Sequence, residues 1–254
     1  MRYIFFYLLH LVETSNAAFR GLIVQGKVAK EHEFPYCAHL DVSCTIESWI
    51  CGSSIINQKV ILTAAHCVYN CSDMKMLVKV GNANQNKATV IGASIFKIHE
   101  DYDDHRVHND ISIVFLRRSL RFGPNVQRVA LLKNPPLNEL ALTSGWGIKE
   151  DGGSGEINMR YTPQNIILHK QCAETLADKP SGTICTLNGR NNQGYPSMGD
   201  SGGPLVVRNF IQVGIVSYMA TVDNGNPIIV YTSVKDFIPW IRKNMKLYYC
   251  KSGA

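Results

Sequence analysis

Six β-branched, partly alternating runs constrain the fold of this chain more than any other feature. They are VILTAA, KMLVKV, TVIGASIFKI, ISIVFL, PLVVRNFIQVGIVSY and PIIVYTSV, separated by Gly, Asn and Pro clusters. No helical pattern lies between them, so the expectation is an all-β sandwich or pair of barrels rather than a βαβ fold. One helix is predicted, at the end. In KDFIPWIRKNMKLYY the residues Phe237, Ile238, Ile241, Met245 and Tyr248 recur at helical spacing, and Asp236 is placed to cap them. The stretches around Gly123–Pro124 and Asn134–Pro136 are the expected bridge between two halves, and EDGGSGE (150–156) reads as a surface loop. With 254 residues the chain suffices for one large domain or two small ones.

The first residues, MRYIFFYLLHLVETSNA, carry Arg2, then an apolar run from Ile4 to Val12, then small residues at Ser15 and Ala17. That order predicts a signal peptide over 1–17, and the run is too short to span a bilayer. Secretion also accounts for eight cysteines, because disulfides persist in oxidising compartments. No membrane association is expected. Net charge is +6, from 26 basic and 20 acidic residues, and the basic residues are scattered along the chain. No run of five or more Lys/Arg occurs, so nucleic acid is not an expected partner.

Three segments carry chemistry. LTAAHC presents His66, HNDISIVFL presents Asp110 at the head of an apolar strand, and GDSGGPL presents Ser201 among glycines. A serine hydroxyl is a weak nucleophile until an imidazole takes its proton, and a carboxylate must hold that imidazole in the right tautomer. The backbone N–H groups of Gly199 and Ser201 must turn toward an oxyanion, and a side chain at Gly199 would hinder that turn. Each residue alone has an ordinary structural explanation. The order His, Asp, Ser with separations of 44 and 91 residues is far harder to obtain by chance.

With these residues the chain resembles the trypsin/chymotrypsin family of serine proteases, from Ile23 to about Met245. CGSSIINQKVILTAAHC (51–67), SGWG (144–147), GDSGGPLV and VYTSVKDFIPWI (230–241) support the resemblance. It implies two packed six-stranded antiparallel β-barrels, a catalytic cleft between them and a closing C-terminal helix. The first barrel is expected over 23–124, and the second with the helix over 125–254. His66 would be general base and then acid, Asp110 its orienter and Ser201 the nucleophile. Polypeptide substrates, protein protease inhibitors as further partners and a monomeric state are implied too. No cofactor is expected: the stretch matching the family's calcium loop, VKVGNANQNKATV, has no Asp or Glu. His99 and His105 have no matching third ligand.

The chain departs from the family in three places. The family's mature start aligns with Ile23, whose freed amine would pair with Asp200, but Leu22 precedes it and the nearest Arg is Arg20. Residues 18–22 therefore read as a short propeptide removed at Leu22–Ile23. In the substrate pocket, Tyr195 stands six residues before the nucleophile, Ser217-Tyr218-Met219 replaces Ser-Trp-Gly, and Ile229 replaces a wall glycine. A Lys or Arg side chain would meet no carboxylate there. An open pocket would accept small apolar residues; alternatively Tyr195 and Met219 collapse into it, leaving a catalytically silent homologue that binds proteins. Third, the bridge flanking the pocket is missing, because Ser197 stands where Cys would be. The resemblance implies Cys51–Cys67 and Cys172–Cys185. Three pairings exist for the other four cysteines, and analogy with the fold favours Cys44–Cys71, leaving Cys37–Cys250. Asn70 lies in an N-x-S sequon.

Overall fold

The computed structural model describes residues 26–71, 73–147, 156–167, 172–173, 176, 181–187, 194–221 and 227–252. The expected signal peptide, propeptide and Ile23 lie outside the described residues, as does all of the 150–156 loop but Glu156.

Two antiparallel barrels form. The first is built from β2 (Cys37–Ser43), β3 (Ser48–Asn57), β4 (Val60–Thr63), β5 (Lys75–Val80), β6 (Thr89–Ile98) and β7 (Ser112–Leu116), and closes in the order β2-β3-β4-β7-β6-β5. Alternation along β5 shows why. Met76, Val78 and Val80 point inward while Lys75 and Leu77 face solvent, the period of two that a half-buried strand requires. Leu40, Ile55, Leu62, Ile113 and Leu116 are fully buried in this barrel's core.

The second barrel takes β9 (Ala141–Gly145), β10 (Arg160–Ile167), β11 (Thr183–Leu187), β12 (Pro204–Val207), β13 (Ile211–Thr221) and β14 (Pro227–Ser233). β9 pairs with both β10 and β12, which closes the ring. The two-residue strand β1 (Lys27–Val28) adds to β10, and β8 (Ala130–Leu131) runs parallel to β13, so the connection between the barrels is itself stitched into the second. The long run PLVVRNFIQVGIVSY is two strands, turned at Arg208 and Asn209, which both adopt positive φ (52° and 62°).

The predicted helix runs Val234–Ser252, longer than its periodicity indicated. Asp236 falls inside its first turn rather than at the cap, where its charge still complements the helix dipole. The helix crosses back to the first barrel. Val234, Phe237 and Ile241 join that barrel's core, Tyr248 stacks on Phe115 with ring centroids 3.8 Å apart, and Trp240 Nε1 donates to Glu100 Oε2 at 2.6 Å.

Cys44–Cys71, Cys51–Cys67 and Cys172–Cys185 are bonded. The expected Cys37–Cys250 bridge is corrected by the structure. Cys37 is buried at the head of β2 with Sγ 3.0 Å from Ser144 Oγ, whereas Cys250 is exposed near the end of the helix. Burial pushes the Cys37 thiol up to about 12, opposed by its Ser144 contact, so it stays a neutral core group.

Candidate active site

The two barrels meet on glycine. A Cβ on Gly52 would lie 2.7 Å from Gly203 Cα, and the Gly52 N–H donates to the Ser201 carbonyl at 2.8 Å. Gly202 has φ +81°, and a Cβ there would sit 2.2 Å from Thr63 Oγ1. The glycines around Ser201 thus press its turn onto the first barrel, beside the segment that carries His66. The Cys51–Cys67 disulfide ties β3 to the residue after His66, and the Ser201 carbonyl lies 3.5 Å from Cys67 Sγ.

Asp110 precedes β7, and its side chain is fully buried. Its Oδ2 accepts from His66 Nδ1–H at 2.8 Å and from Ser217 Oγ–H at 2.5 Å, and its Oδ1 accepts the His66 backbone N–H at 3.0 Å. Thr232 Oγ1 donates to the Asp110 carbonyl at 2.7 Å. Ser217 and Thr232 come from the second barrel, so both barrels fix one carboxylate. Sequence reasoning placed Ser217 only in the substrate pocket and gave Thr232 no role, because neither contact has a local signature. Burial alone would raise the Asp110 carboxyl, but the His66 charge and hydrogen bonds outweigh it and hold it below the usual range. Burial likewise works against a charged His66, yet Asp110 wins and lifts the imidazole above its ordinary value.

A donor at Nδ1 leaves the lone pair on Nε2, which lies 3.8 Å from Cys67 Sγ in the half-buried ring. Ser201 Oγ makes no hydrogen bond to a described residue. Such contacts are often long until substrate arrives. Among the described residues, Cys51, His66 and Cys67 gather as possible metal donors, but the disulfide consumes both sulfurs and leaves one ligand.

Asp200 turns away from the cleft. It is buried, and its two carboxylate oxygens accept the N–H groups of Gly147 (2.9 Å) and Ser197 (3.0 Å). A Cβ on Gly145 would stand 2.1 Å from Asp200 Oδ1, and one on Gly147 2.5 Å from Oδ2, which explains the glycines of SGWG. Burial pushes the Asp200 carboxyl up to about 7, although both backbone donors oppose the shift. Gly199, on the other side of the turn, has φ +90°. The Asp200 N–H donates to the Ser197 carbonyl at 2.9 Å, while the N–H groups of Gly199 and Ser201 on either side bond to no described residue.

Beside Ser201 lies a cavity of about 250 Å³, lined by Tyr195, Pro196, Ser197, Met198, Val216, Ser217, Tyr218, Met219 and Ile229. Tyr195 and Met219 both stand in the lining of this space. Met219 and Ile229 are direct partners across β13 and β14, so the two residues that replace glycines face one another at one wall. Among the described residues, no carboxylate lines the cavity.

Known proteins point the same way. The family model described as Trypsin matches residues 23–241. Cathepsin G of Mus musculus is 32% identical over 239 residues, 90% of this chain and 87% of its own length. Chymotrypsin of Phaedon cochleariae is 32% identical over 230 residues, covering 87% of this chain and 81% of its own. Trypsin delta of Drosophila erecta is 33% identical over 228 residues, covering 88% of each chain. A solved structure of HL collagenase superposes with a TM-score of 0.78 at 27% identity, covering 88% of this chain and 98% of that one. The chain, with its two barrels and the residues that meet between them, belongs to the trypsin family of serine endopeptidases.

Proposed function

We propose that this is a secreted endopeptidase that cleaves after small apolar residues through an acyl-enzyme formed on Ser201. The observation that carries the specificity is the apolar cavity beside Ser201, narrowed by the Met219–Ile229 pair and free of carboxylates among its lining residues. A Lys or Arg side chain would bury an unpaired charge there, at a cost of several kcal/mol in order of magnitude. Alanine, valine or glycine needs only apolar walls.

In this reading Ser201 Oγ attacks the scissile carbonyl and His66 Nε2 takes its proton. The Nδ1–H bond to Asp110 keeps Nε2 basic and then stabilises the imidazolium. The unbonded N–H groups of Gly199 and Ser201 receive the developing oxyanion. His66 returns the proton to the leaving amine, and water resolves the ester by the same route in reverse. The Ile23 amine, freed by cleavage after Leu22, supplies the cation that the buried Asp200 lacks among the described residues and orders the Gly199–Ser201 turn.

A peptide-library cleavage profile of the processed protein tests the proposal. Cleavage is expected after Ala, Val or Gly, and Met219→Gly is expected to raise kcat/KM for Phe relative to Ala by about 10- to 100-fold. Efficient cleavage after Arg or Phe by the wild-type protein would refute the pocket assignment.

A further inference from the structure

The cations that look scattered in the sequence are gathered by the fold. Residues 74–99 hold four lysines, 111–138 hold four arginines and one lysine, and 237–252 hold one arginine and three lysines. None of these three segments contains Asp or Glu. They form neighbouring parts of the molecule, since β5, β6 and β7 are adjacent in the first barrel and the C-terminal helix touches that barrel at Glu100 and at Phe115 of β7. Trp240 meets Glu100 near the start of β7, and Tyr248 meets Phe115 near its end. Eight helical residues rise about 12 Å, which matches about three to four strand residues. The last turn of the helix therefore reaches the level of Arg117.

At that end the cations converge. The Leu116 N–H donates to the Lys59 carbonyl at 2.9 Å, which brings the β3–β4 turn beside Arg117. Arg118 and Arg121 line a groove of about 480 Å³ together with Thr89, Ser119 and apolar residues. Arg117 Nε donates to the Ala93 carbonyl at 2.9 Å and Arg118 Nη2 to the Val90 carbonyl at 3.2 Å, bonds that orient the guanidinium groups without neutralising them. Arg117, Arg118 and Arg121 are exposed and pair with no carboxylate among the described residues. Lys79 and Lys97 at the margins form ion pairs with Asp41 and Glu100, and Lys75 lies near enough to Asp73 to lower its carboxyl.

We infer that this end of the first barrel, with the outer face of the helix (Arg242, Lys243 and Lys246), is a docking surface for a sulfated polysaccharide. Uncompensated like charges at close range repel one another, and a polyanion relieves that repulsion while releasing its own counterions. Planar guanidinium groups already held by backbone carbonyls suit the oxygens of a sulfate. The groove presents no aromatic ring among its lining residues on which a base could stack, which favours a glycan over a nucleic acid. Three disulfides match the oxidising space in which such glycans occur. Asp110 precedes β7 (Ser112–Leu116) and Arg118 follows it, so the groove and the catalytic carboxylate lie at opposite ends of that strand.

The test titrates heparin into the full chain carrying Ser201→Ala, across a range of salt concentrations. Binding should weaken steeply with salt. Arg118→Gln/Arg121→Gln should lower affinity at least about tenfold and reduce the log–log salt slope by about two, with unchanged thermal melting. Arg208→Gln should bind like the parent, because Arg208 is already paired with Glu139. Desulfated heparin should not bind. The inference is overturned if heparin fails to bind, if the double variant binds equally well, or if Arg208→Gln loses as much. Tighter binding of a single-stranded oligonucleotide of equal charge would overturn the choice of a glycan.

Discussion

Raising the pH should weaken the uncleaved chain through one carboxyl group. Asp200 is buried with a value near 7 against an ordinary 3.8, a difference of about three units. At about 1.4 kcal/mol per unit this corresponds to roughly 4 kcal/mol. A raised folded value means that the folded state holds the proton more tightly than the unfolded chain. The stability is therefore complete below about pH 4, is lost progressively as pH rises toward 7, and changes little above it. The proposed pairing with the Ile23 amine should remove the loss, because the charged carboxylate would then have a buried partner. Urea unfolding of the Ser201→Ala protein, before and after cleavage at Leu22–Ile23, measures the effect between pH 4 and pH 8. Asp200→Asn in the uncleaved chain serves as reference, since all other titrating groups are common to both. The uncleaved parent should fall relative to Asp200→Asn by about 4 kcal/mol across that range, and the cleaved protein should not. Parallel pH profiles for the uncleaved parent and Asp200→Asn, or no effect of cleavage, would refute the reasoning.

Other consequences are as direct. Asp110→Asn should lower kcat by about 10⁴ through the wrong His66 tautomer, and should move the acidic limb of the rate profile to lower pH because the imidazole loses the charge that raises it. Gly145→Ala should destabilise the protein by about 1–3 kcal/mol and abolish activity, because its Cβ would stand 2.1 Å from Asp200 Oδ1; denaturant melts and ester hydrolysis check both. An alkylating reagent should label Cys250 in the native protein and Cys37 only after denaturation, as mass spectrometry of the peptides would show.

Much of this was legible in the residues because it is local. The strands Lys75–Val80 and Thr89–Ile98 coincide with their β-branched runs, and the glycines of GDSGGPL announce a turn that no other residue could make. β2 gave no comparable signal: CAHLDVS places His39 on a fully buried position, and only its pairing with β3 and β5 makes it a strand. The contacts that steady the site, Ser217 and Thr232 on Asp110 or Gly145 and Gly147 around Asp200, join residues roughly 50 to 120 positions apart. Spacing along a chain carries no record of them. The expected Cys37–Cys250 pair failed for the same reason, since elimination among cysteines ignores that one thiol points into the barrel and the other into solvent. The residues alone left the pocket either open or filled by Tyr195 and Met219; in the structure Met219 and Ile229 oppose one another on one wall, and a cavity lies beside Ser201.

The account stands on Ser201 being an activated nucleophile held by both barrels. Its most direct measurement is labelling of the Ile23-processed protein with a fluorophosphonate probe, followed by mass spectrometry of the modified peptide. One adduct per chain on Ser201, absent from Ser201→Ala and slowed at least about 10³-fold in Asp110→Asn, is the predicted result. A processed, folded protein that takes no label would contradict it.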